Sequence, residues 1–132
     1  MSIHVSEEQA EALLAMHCED ARSMLKDEQK LIKLLNGVVT KVVSLESEDP
    51  YIHMIPILSS FVASHVKGEY VKASEDQIVL IVSALIYFMS RNDLILDSVP
   101  ELGYLDDVAV IKCCMKEVAD VVFSYKKYRN IV

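Results

Sequence analysis

The amino-acid sequence predicts an all-α fold, a single-domain helical bundle of about five helices with a helix–loop–helix corner near residues 92–104. Three observations carry that expectation. Apolar side chains recur at steps of three and four along nearly the whole chain, the spacing that places them on one face of a helix. Only three glycines and three prolines occur in 132 residues, too few for a fold that needs many tight turns. Two Ser-x-x-Gln signatures, Ser6–Gln9 and Ser74–Gln77, have the form of helix-starting capping boxes. A hydrophobic content of 52% supplies enough apolar surface to offset the entropy of ordering, which excludes a disordered chain. The length suits one domain, residues 1–132, whose core needs neither disulfides nor metal.

The first helix should start at Ser6 and bury Ala10, Leu13, Leu14, His17, Ala21, Met24 and Leu25. A second helical stripe is Leu31, Leu34, Leu35, Val38, Val39, Val42 and Val43; no strong breaker lies between Lys26 and Lys30, so one long helix and two are both compatible. Glu46 to Pro50 is a clear break, since the residue before a proline resists helix. Pro50 then opens a third helix as its first residue, running to about Lys67, where Gly68 ends it. Pro56 should bend that helix or split it near Met54. From Ser74 the most apolar helix runs to near Arg91–Asn92. After an irregular stretch containing Pro100, the last helix runs from about Tyr104 to Tyr128 with Val108, Ile111, Met115, Val118, Val122 and Tyr125 inward.

The net charge is −7, and it is unevenly spread. Residues 1–30 carry −4 and 73–107 carry −6, whereas 108–132 carry +3. Lys and Arg form no patch suited to a phosphate backbone, so nucleic acid is not an expected partner. Lys126, Lys127 and Arg129 are read as complementing the dipole at a helix C-terminus. The charge-free run from Ile78 to Met89 has 12 residues, short of the roughly 20 that span a bilayer. It is read as a buried helix, and no transmembrane segment is expected. Cys18, Cys113 and Cys114 are odd in number and two are adjacent, which fits reduced thiols in a cytoplasmic protein. The chain passes from Ser6 directly into an amphipathic pattern, so no secretory leader is expected.

Residues 84–111 read ALIYFMSRNDLILDSVPELGYLDDVAVI. Leu85, Tyr87, Ser90, Asp93, Leu94, Ile95, Asp97, Pro100, Gly103, Asp106 and Asp107 hold the spacing of a family pattern, and the stretch resembles the YkvA-like domains of unknown function (family number 1232). Arg91 and Leu96 stand where that pattern usually has prolines, and Glu101 where it has an apolar residue. The resemblance implies a helical hairpin over about residues 74–128 and brings no established activity.

The acidic residues of this stretch have two readings. Asp93, Asp97, Asp106 and Asp107 can gather into a site for a hard cation, whose ligands are carboxylate oxygens. Alternatively each carboxylate caps or flanks a helix end and faces water; Asp106 and Asp107 would then meet the positive end of the last helix. The second reading is adopted, with no metal or cofactor expected. His4, His17, His53 and His65 lie too far apart for zinc-like spacing, and His17 and Cys18, being adjacent, project in different directions on a helix. No phosphate loop, dinucleotide fingerprint or nucleophile elbow is present in the sequence.

These features lead to a non-catalytic, acidic protein-binding module as the expected function. Its most concrete form is an immunity or inhibitor protein that neutralises a basic toxin such as a nuclease. Glu101, Tyr104, Asp106 and Asp107 are the residues expected to meet the partner. A membrane-associated YkvA-like protein and a divalent-cation-dependent enzyme using the four aspartates are the alternatives.

Overall fold

A computed structural model describes residues 6–89 and 105–130, and side chains from 107 onward in the second stretch. Among the described residues there are six helices and no strand: α1 (Glu7–Met16), α2 (Cys18–Met24), α3 (Glu28–Leu45), α4 (Pro50–Val66), α5 (Glu75–Met89) and α6 (Leu105–Tyr128). The all-α bundle expected from periodicity is the fold that forms.

Both capping boxes close. The backbone N–H of Gln9 donates to Ser6 Oγ at 3.1 Å while Gln9 Oε1 accepts from the Ser6 N–H at 2.9 Å. Ser74 and Gln77 repeat this reciprocal pair at 3.2 and 2.9 Å. Asp27 and Asp49 cap α3 and α4 by accepting from Lys30 N–H and Tyr51 N–H. The stretch from Lys26 to Lys30, compatible with one helix or two, is therefore a break, made by the Asp27 cap. A further break at His17 has no glycine or proline behind it. There the chain tightens, the His17 N–H reaching back three residues to Leu14 O at 3.4 Å, and the His17 ring stands 6.0 Å from that of Tyr87.

Pro50 occupies the first turn of α4 and Gly68, with φ of 77°, follows its end. Pro56 does not split α4, which runs unbroken from Pro50 to Val66. Its missing N–H removes one helix bond, but Ile52, Ile55 and Leu58 around it are fully buried and hold the helix through packing.

α5 is the axle of the bundle, packed against α1, α2, α3, α4 and α6. A helix surrounded on all sides must be apolar all round, and α5 buries Ile78, Val79, Ile81, Val82, Leu85 and Phe88. That surrounding explains the apolar run without a bilayer, and no helix among the described residues is long and apolar enough to cross one. α3 and α4 form an antiparallel hairpin, with Ser59 Oγ donating to Leu35 O at 3.2 Å. α1 packs on the opposite side, against α5 and α6.

The inward stripe predicted for residues 31–43 needs a correction. Leu31, Leu35, Val38 and Val42 are buried and Leu34 is half-buried, but Val39 and Val43 are exposed. With Ile32, eight apolar positions in 13 residues cover more than one helix face, and α4 and α5 together conceal only part of it.

Candidate functional site

Described residues of α3 and α5 meet where α5 ends. At the end of α5, Lys41 of α3 donates from Nζ to the carbonyl oxygen of Phe88 at 2.5 Å and lies 4.5 Å from the centroid of the Phe88 ring. A cation thus meets the last carbonyls of α5, where the helix dipole is negative, and also the face of an aromatic ring. Tyr87, one residue earlier, is buried.

The aspartates predicted to act at this corner do not share one fate. Asp93, Asp97, Glu101 and Tyr104 lie outside the described residues, as does the side chain of Asp106, whose backbone is in the first turn of α6. Asp107 is only 1% exposed, so it does not present a carboxylate to a partner's surface. The reason is helical phase. Asp107, Ile111, Cys114, Val118, Val122 and Tyr125 follow at steps of four, three, four, four and three, and all six are buried. The predicted stripe began instead at Val108, which is half-buried.

A second constellation combines residues that sequence spacing did not connect. α1, α5 and α6 enclose a cleft of about 280 Å³ with Glu7, Glu11 and Glu117 at its rim and Leu14, Leu80 and Cys113 within. Lys116 also lines it and pairs with Glu7. This hydrogen bond and charge hold the Glu7 carboxyl below its usual range and raise the Lys116 ammonium above its own. Beyond the cleft, α2 packs on α5, where Arg22 and Asp76 form an ion pair at 2.9 Å. Glu8, Glu11, Glu19, Asp20 and Glu75 are exposed around these pairs. The result is an apolar depression within an acidic surface, suited to the aliphatic stem of a lysine or arginine whose charge reaches the rim.

The signal for this site was present in the sequence as the −4 of residues 1–30, with Glu117 further along the chain. What it lacked was the packing of α1 against α6, a contact between segments about a hundred residues apart.

The thiols are set by burial. Cys114 is fully buried, which pushes its thiol up to about 12, and burial followed by the nearby Glu11 carboxylate raises Cys113. Neither is primed as a nucleophile. Cys18 is half-buried and accepts from Ser83 Oγ at 3.4 Å. Among the described residues, no three His, Cys, Asp or Glu side chains gather in a way that would hold a metal ion.

No curated protein and no solved structure matches the chain. Residues 77–112, which comprise most of α5, the corner and the first two turns of α6, match the family model described as "Protein of unknown function (DUF1232)". The match overlaps the stretch at residues 84–111 that resembles the YkvA-like domains and is consistent with that resemblance.

Proposed function

We propose that the chain is a non-catalytic binding module that captures a basic partner protein at the acid-rimmed cleft between α1, α5 and α6. The observation that carries this reading is the arrangement of Glu7, Glu11 and Glu117 around an apolar depression. A basic side chain entering there would bury its methylene groups against Leu14 and Leu80 and set its charge among carboxylates. The exposed Glu8, Glu19, Asp20 and Glu75 extend the negative field outward, which speeds the approach of a positive partner and disfavours a negative one. Its most concrete version is an immunity protein that neutralises a basic toxin such as a nuclease, acting in the cytoplasm, where the three cysteines stay reduced.

The test is affinity purification from the native cell with the wild-type chain and with Glu11→Lys/Glu117→Lys as paired baits. The expected result is a basic protein that co-elutes with the wild type, is lost with the double variant, and binds more weakly as salt rises. Equal capture by both baits, or salt-independent binding, would defeat the assignment of the partner to this cleft.

A further inference from the structure

The exposed valines of α3 belong to a pattern. Ile32, Asn36, Val39 and Val43 follow one another at steps of four, three and four, so they share one helix face. Ile32, Val39 and Val43 are 50%, 36% and 73% exposed, so this seam faces outward. Beside it runs a groove of about 630 Å³ between α3 and α4, floored by the small side chains of Pro56, Ser59, Ser60 and Ala63. Neither α1 nor α6 packs against α3, so among the described residues no helix covers the seam. A row of aliphatic side chains beside a groove is the form of a helix-docking face.

Two features point to a second copy of this chain as the occupant. The first is the spacing, because steps of four, three and four read the same in both directions. An antiparallel copy of α3 therefore places Ile32 opposite Val43 and Asn36 opposite Val39, twice over. Such self-matching is the condition for an isologous two-fold contact.

The second is charge. α3 and α4 are antiparallel, so Lys67 lies at the Ile32 end of the groove, where Lys33 is also exposed, with Glu28 beside them. At the Val43 end stand Glu46, Glu48 and Asp49, while Lys41 is withdrawn to the Phe88 carbonyl. Antiparallel pairing lays the acidic end of each copy over the basic end of the other, whereas parallel pairing sets like against like. We propose that the chain forms a two-fold dimer through antiparallel packing of α3 on α3, with α4 flanking each side. The acid-rimmed cleft lies among α1, α5 and α6 and stays open on both copies, so this inference stands independently of the proposed function.

Sedimentation equilibrium of the full chain, from low to high micromolar, tests the inference. The expected result is twice the chain mass. Val39→Glu/Val43→Glu should yield the single-chain mass with an unchanged helical circular-dichroism spectrum, since both positions are exposed. Lys33→Glu/Lys67→Glu should weaken association at least about tenfold, and adding Glu46→Lys/Glu48→Lys to the same chain should restore it. Asn36→Leu, which removes the one polar side chain of the seam, should tighten the dimer. A wild type with the single-chain mass throughout overturns the proposal. So does a Val39→Glu/Val43→Glu variant that remains dimeric, and failure of the restoring pair rejects the antiparallel register.

Discussion

The hydroxyl of Tyr125 on α6 stands 2.5 Å from Ser60 Oγ on α4, a polar contact between two packed helices. Ser64 Oγ, a turn further along α4, is 3.0 Å from the same hydroxyl. The Tyr125 ring is fully buried, 4.9 Å from the centroid of Phe61 and 5.3 Å from that of Tyr70. A buried phenol must find hydrogen-bond partners within the protein, and the two serines provide them.

Tyr125→Phe keeps the ring and leaves the serine hydroxyls without their shared partner. The expected loss is about 1–2 kcal/mol of unfolding free energy, measured by urea denaturation with an unchanged slope. Ser60→Ala alone should cost less, because Ser64 still satisfies the phenol. A neutral Tyr125→Phe would mean that the hydroxyls find other partners at no cost.

Lys41→Met retains much of the aliphatic stem and removes the charge at the end of α5. Its Nζ donates to the Phe88 carbonyl, so the loss combines a charge-assisted hydrogen bond with dipole and ring contacts. About 1–2 kcal/mol is expected from urea denaturation. Hydrogen exchange should show faster opening at the C-terminal turn of α5 than at its centre.

Asp107→Lys should be far more harmful than its place beside Asp106 suggests. The position is 1% exposed, so the substitution replaces a buried carboxylate with a longer side chain of opposite charge. A loss above about 3 kcal/mol is expected, visible as a large fall in thermal midpoint. A midpoint close to the wild type would mean that the position is open to water.

The Glu7–Lys116 pair predicts opposite pH effects at the two extremes. The Glu7 carboxyl is held below its ordinary range, so its contribution is present above the unfolded value and lost as pH falls through the folded one. Lys116 is raised, so its contribution is present below its unfolded value and lost as pH rises through the folded one. Both groups are exposed, which keeps the effect small and sensitive to salt. Thermal midpoints at low salt should therefore fall less steeply with acid in Glu7→Gln than in the wild type. Parallel curves for the two proteins would show that the pair contributes nothing.

Legibility differed between helix existence and helix phase. Ser6 and Ser74 announced their capping boxes because capping is local, needing only a hydroxyl and an amide three residues apart. The corner residues Asp93, Asp97, Glu101 and Tyr104 lie outside the described residues, so that part of the predicted site is carried by the sequence alone. Asp107 was misread as a surface carboxylate because acidic residues in the first turn of a helix usually face water, and only its phase relative to Ile111 and Cys114 says otherwise. Glu7, Glu11 and Glu117 were not joined into one rim, since nothing in their spacing relates the start of the chain to its last helix.

By itself the sequence determined that this chain is helical, where the helices opened by Ser6, Pro50 and Ser74 begin, and that the stretch from Ile78 to Phe88 must be enclosed. Those properties follow from interactions within a few residues and from an apolar surface too continuous to remain in water. The tertiary structure alone decided which of several apolar stripes turns inward, leaving Val39 and Val43 outside while burying Asp107. A helical period narrows the inward face to an arc of roughly 100°, and neighbouring helices choose the direction within it.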